Sequence, residues 1–174
     1  MILKEKAARF FVKNKIKKDV FTPQSFSNVM SKATSFLLLM PNDEDDFNNS
    51  NIIIKYLTDS HKELLILTRD FRISKLPINL RRNAIEYGIK DISKIDLPSK
   101  ELITKLNKRK FDVIIDLNRT DKLFFSYLAY SVNSIFRIGF KKYLADNIYN
   151  LQVANEETNS KISYKNLLNC LQML

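Results

Sequence analysis

The sequence predicts an α/β fold: a single domain with a mostly parallel sheet flanked by helices, plus a basic N-terminal helix. Three observations predict it. Apolar runs recur at residues 35–40 (SFLLLM), 62–68 (KELLILT) and 111–116 (FDVIID), the pattern of strands buried on both faces. Segments of helical periodicity lie between them. From Lys110 to Val153 the chain reads strand, polar turn, helix, strand, tight turn and a further extended segment, and the strand, helix and second strand from Phe111 to Ile138 take about 30 residues, the length of a βαβ unit.

Composition agrees with one globular domain. The chain has 174 residues, 45% of them hydrophobic, which suffices for a core and is too apolar for disorder. No run approaches the ~20 apolar residues of a membrane-spanning helix. The charged start is followed by neither an apolar core nor a small-residue cleavage site, so no secretory signal is expected. Cys170 is the sole cysteine, which excludes an internal disulfide and fits a reducing, cytoplasmic location. With two glycines the chain has no Gly-rich phosphate loop, and neither a cofactor nor a metal centre is expected.

Taken in order, residues 2–18 read as a basic amphipathic helix, with Leu3, Ala7, Phe10, Phe11 and Ile16 on one broad face. The formal net charge is +10, and half of that excess lies in the first 20 residues. Lys4, Lys6, Arg9, Lys13, Lys15, Lys17 and Lys18 stand there against Glu5 and Asp19. This asymmetry points to an anionic partner, such as the inner face of a membrane. The competing reading is a terminal helix packed on its own domain with solvated lysines. Residues 20–34, with Pro23 and several Ser, Asn and Thr, read as a connector, so the domain proper spans 35–174.

After the first strand, residues 41–51 (PNDEDDFNNSN) form an acidic loop with Asp43, Glu44, Asp45 and Asp46. Ligands of open α/β sheets sit beyond the carboxyl ends of the strands. A carboxylate here could act as a general base, or the loop could simply cap the next helix; clustered acids can also hold a divalent metal, but their spacing here matches no established metal-binding loop. Residues 51–60 are expected as a helix, with Ile53, Ile54 and Leu57 toward the sheet. His61, the only histidine, lies at a junction where a structural or exposed role is expected. Arg69, Asp70 and Arg72 follow the second strand. A short helix is expected at 80–87, ended by Gly88 in the left-handed cap position, then a strand within 89–95 and a helix at 99–108. Thr120 or Asp121 should cap a helix from Leu123 to Ser131. A strand at 134–138 ends at Gly139, another lies within 148–153, and an amphipathic helix at 161–174 closes the chain.

The central motifs carry a resemblance. FDVIIDL at 111–117, a helix, and FRIGF at 136–140 resemble the N-terminal, acceptor-side domain of the ADP-heptose:lipopolysaccharide heptosyltransferases, glycosyltransferase family 9. LLLMPNDEDDFNNSNIIIKYL resembles the family's first strand, Gly-Asp loop and helix, and the likeness extends over residues 35–174. It implies a Rossmann-like domain. It places Asp45 at the family's glycine and Asp46 at its catalytic aspartate, the base that deprotonates the acceptor hydroxyl. Arg69, Arg119 and Lys122 would then serve an acidic glycan acceptor. The family's second domain, which binds the nucleotide-sugar donor, would begin where this chain ends.

The expectation that follows is a glycosyltransferase-like domain, non-catalytic by itself. It would act as a binding or scaffold protein near cell-envelope glycan synthesis, with a protein partner or as a homodimer. The alternative is the acceptor-side half of an active glycosyltransferase, in which Asp46 acts as base. A basic nucleic-acid-binding protein is the third reading. Its only support is charge with Phe10 and Phe11 among lysines, and no recognised module accompanies them.

Overall fold

The computed structural model describes residues 2–16, 26–154 and 157–174. Lys17, Lys18 and Pro23 lie outside the described residues. Six parallel strands form one sheet: β1 (Ser35–Leu39), β2 (Glu63–Arg69), β3 (Ala84–Tyr87), β4 (Phe111–Asp116), β5 (Ser134–Phe140) and β6 (Leu151–Val153). Their order is β3-β2-β1-β4-β5-β6. This is the doubly wound Rossmann-like arrangement, with its switch point between β1 and β4. Eight α-helices complete the described chain: α1 (Ile2–Lys15), α2 (Val29–Lys32), α3 (Glu44–Asn49), α4 (Asn51–Asp59), α5 (Ile78–Arg81), α6 (Lys100–Leu106), α7 (Leu123–Ser131) and α8 (Ser160–Gln172).

Side chains alternate across a strand, and β1 shows why both faces had to be apolar. Phe36 and Leu38 enter one core with Phe47, Ile53 and Leu57 from α3 and α4 and Tyr164, Leu167 and Leu171 from α8. Leu37 and Leu39 enter the other with Leu102 and Leu106 from α6, Phe125 and Leu128 from α7, and Ala8 and Val12 from α1. The amino end of the sheet is tied by Asp112. Its Oδ2 accepts from the amides of Thr34 (2.8 Å) and Ser35 (3.0 Å) and from the Thr34 hydroxyl (3.0 Å).

Several expected elements differ. Residues 80–87 are not a helix: α5 ends at Arg81, and residues 84–87 are strand β3, paired with β2 from Ile66↔Ala84 to Arg69↔Tyr87. The free edge of β2 supplies backbone partners that outweigh local propensity. The strand expected within 89–95 is a 3-10 turn, Ile89–Asp91, with a single antiparallel bridge from Ile92 to Pro98. There Asp91 Oδ2 accepts from the Gly88 amide at 2.9 Å and closes the turn locally. Gly88 is extended, with φ −126°, and is no left-handed cap. The acidic loop contains helix α3, because Asp43 caps it and three acids occupy its positive first turn. Gly139 lies within β5 rather than ending it. Neither Thr120 nor Asp121 caps α7; Lys122 holds that position, and Asp121 pairs with Arg9 at 3.4 Å.

The face of α1 also differs. Ala8, Val12 and Ile16 are buried, whereas Leu3 is 85% and Phe10 72% exposed. The helix docks on α7, with Phe11 edge-on to Tyr127 (ring centroids 5.8 Å apart) and Arg9 over the Tyr143 ring. Among the described residues, no helix is long and apolar enough to cross a membrane.

Candidate functional site

The carboxyl ends of β1 and β4 diverge at the switch point, where an open α/β sheet offers its crevice. Three polar clusters occupy this edge. The first joins Asp46 and Arg119. Asp46 lies in the first turn of α3 because Asp43 Oδ1 accepts from its amide at 3.0 Å. The side chain is buried, and its Oδ1 accepts from Arg119 Nε and from Ser160 Oγ, both at 2.7 Å. Arg119 Nη1 donates to the carbonyls of Glu157 (3.1 Å) and Thr158 (3.3 Å) and to Ser163 Oγ (3.1 Å). Arg119 thus links the loop after β4 to α3 and to the start of α8.

The second cluster surrounds Asp116, the last residue of β4, which is fully buried. Its Oδ1 accepts from the Asn118 amide (3.0 Å) and from Asn118 Nδ2 (2.8 Å). Its Oδ2 accepts from Lys142 Nζ (2.6 Å) and the Tyr149 hydroxyl (2.5 Å). Lys142 also donates to the Asn118 carbonyl at 2.9 Å, and its side chain is 2% exposed. Four donors on one carboxylate satisfy it, as a buried charge requires. Burial, then the adjacent Asp116 charge, raises the Tyr149 phenol well above its ordinary value. Gly139 makes this geometry attainable. A Cβ there would lie 2.8 Å from Tyr149 Cε1, so only glycine lets the ring lie on β5 beside Asp116.

The third cluster lies at the ends of β2 and β3. Tyr87 donates to Asn42 Oδ1 at 2.8 Å, and burial pushes its phenol up to about 12. Arg69 stands over the Tyr87 ring, 5.2 Å from its centroid. Buried Arg72 donates through Nη2 to the Asn42 carbonyl (2.6 Å) and lies against the rings of Phe47 and Phe71. Its Nε and Nη1 are buried without hydrogen-bond partners among the described residues. Contact with two aromatic faces offsets part of that penalty.

The structure therefore joins Asp46 to Arg119 and separates both from Arg69, which belongs to the Tyr87 cluster. Lys122 is exposed at the start of α7 and makes no ion pair among the described residues. The lysines of α1, Lys4, Lys6, Lys13 and Lys15, are exposed on that helix, and Arg9 pairs with Glu5 and Asp121. Of the remaining loop acids, Glu44 pairs with Lys75 and Asp45 is exposed. Asp116, Asn118, Lys142, Tyr149, Ser160 and Ser163 escaped the sequence reading. The usable signal was an aspartate ending an otherwise apolar strand, since a charge there needs a buried partner.

A family model described as "Family of unknown function (DUF6913)" matches residues 4–174. The chain belongs to the DUF6913 family. No curated protein matches this DUF6913 chain in sequence. Among solved structures it resembles "The crystal structure of the glycosyl transferase family 9 from Veillonella parvula DSM 2008", with a TM-score of 0.56 and 15% sequence identity. The match covers 80% of the DUF6913 chain and 42% of the other, so this chain spans less than half of that protein's length. The fold is thus glycosyltransferase-like.

Proposed function

We propose that this DUF6913 chain is a glycosyltransferase-like domain that does not catalyse transfer by itself and serves as a binding or scaffold module near cell-envelope glycan synthesis. The observation that carries the reading is the state of Asp46. A general base must reach the proton that it abstracts. Here the carboxylate at the position implied by the resemblance to heptosyltransferases is buried, and Oδ1 is held by Arg119 and Ser160. Those contacts lock α3, α8 and the β4–α7 connection together, a structural task. The second carboxylate of this edge, Asp116, is likewise filled by Lys142, Tyr149 and Asn118.

The length relation favours one further reading. The glycosyltransferase family 9 structure is more than twice as long as the matched part, so an acceptor-side half could act together with a donor-binding half. In that case an acidic acceptor would draw Arg119 away from Asp46 and free the base. Calorimetric titration with ADP- and UDP-linked sugars, for the wild type and Asp46→Asn, tests the main reading. No saturable heat is expected with either protein. Saturable donor binding by the isolated chain would overturn it.

A further inference from the structure

α1 has two apolar faces, and the domain uses only one. Ala8, Val12 and Ile16 are buried against the second core. Leu3, Ala7 and Phe10 recur at spacings of four and three on the opposite side and are exposed, while Phe11, at the edge of that side, lies against Tyr127 of the domain. Lysines border this outer stripe on both flanks: Lys4 and Lys15 on one, Lys6 and Lys13 on the other, as the helical repeat of 3.6 residues dictates. All four are exposed, and none forms an ion pair among the described residues. Arg9, on the domain side, is held by Glu5, Asp121 and the Tyr143 ring. The helix thus keeps its one arginine for the domain and turns its lysines outward.

We infer that the outer face of α1 docks on an anionic lipid surface. Charge complementarity selects this occupant. An apolar stripe with lysines on both edges can lower Leu3 and Phe10 into the acyl boundary, while the lysine stems extend to anionic headgroups. Docking through Ala8, Val12 and Ile16 would then hold the domain on the solvent side of the helix. The inference is independent of whether the domain binds a sugar donor.

The chain contains no tryptophan, which allows a clean probe. The full chain carrying Phe10→Trp is mixed with vesicles of equal parts phosphatidylcholine and phosphatidylglycerol, and with pure phosphatidylcholine vesicles. A blue shift of emission is expected with the anionic vesicles only. Met173→Trp is the control. Met173 is 76% exposed and follows α8 on the other face of the sheet, so its emission should not move. Lys6→Gln with Lys13→Gln should weaken vesicle binding about 25-fold, at roughly fivefold per lysine. Leu3→Asp should abolish binding without loss of fold, because that side chain contributes little to the core. The inference is overturned by equal binding to neutral vesicles or by no shift with either. It is also overturned by a shift that follows protein concentration without lipid, which would mean pairing with a second copy. Lysine-dependent binding to nucleic acid without binding to vesicles would overturn it as well.

Discussion

Replacing Lys142 by methionine tests the buried charge cluster most directly. The substitution keeps most of the side-chain volume and removes the cation that faces Asp116 at 2.6 Å. Both side chains are essentially inaccessible, at 2% and 0% exposure, so water cannot take over the interaction. Breaking such a pair on one side costs about 3–5 kcal/mol, because a charge is left uncompensated. Asp116 would keep the Asn118 amide, Asn118 Nδ2 and the Tyr149 hydroxyl. These three donors place the expected loss at the lower end, about 3 kcal/mol. For a chain of this size that corresponds to a fall in Tm of roughly 6–12 °C. Urea unfolding followed by far-UV circular dichroism measures it, and m should be unchanged if both states keep their compactness. The decisive arm is Lys142→Met combined with Asp116→Asn. The amide can offer its NH2 to the Tyr149 oxygen, so the double variant should recover about half of the loss or more. A single-variant loss below about 1 kcal/mol, or a double variant as unstable as the sum of the singles, would refute the reasoning.

Three further outcomes follow from the same geometry. Gly139→Ala should cost about 1–3 kcal/mol by overpacking, since the new methyl meets the Tyr149 ring at 2.8 Å, and near-UV dichroism should report the displaced tyrosine. Asp112 is held below the usual carboxylate range first by the Ser35 amide and then by the Thr34 amide. Its contribution is therefore present above about pH 4 and lost as pH falls through the folded value; Asp112→Ala should cost about 1–2 kcal/mol at neutral pH and flatten the acid limb of a stability profile. At alkaline pH, Tyr87, Tyr149 and Tyr164 resist ionisation because burial raises each phenol. Their contribution is complete below about pH 10 and declines as pH rises toward the folded values, by about 1.4 kcal/mol per pH unit for each; Tyr149→Phe should make that decline shallower in denaturation midpoints.

The candidate site was legible in part. Asp46 and Arg119 were both singled out, but in different roles: one as a base, the other as a contact for an acceptor. Their mutual ion pair spans 73 positions of the chain, and no local pattern encodes it. Nothing local sets Lys142 apart from the other lysines of the chain. It is buried only because β5 and the turn after it pass beside the end of β4. The error over residues 80–87 has the same origin. Ala-Ile-Glu-Tyr has no strong preference, and the unpaired edge of β2 decided that it became β3.

What the sequence determined by itself was the layered α/β architecture. Strands buried on both faces must be apolar without interruption, and the helices that cover them must be apolar at helical spacing; both requirements are local and readable. FDVIID and the helix at Leu123–Ser131 stand in the structure where those periods place them, and the strand expected at 134–138 runs on through Gly139 to Phe140. Only the tertiary structure decided which charges meet, which face of α1 is covered, and why Gly139 is a glycine. Those outcomes depend on groups far apart in sequence sharing a dry space, where each burial is tolerated only if another segment brings the matching partner.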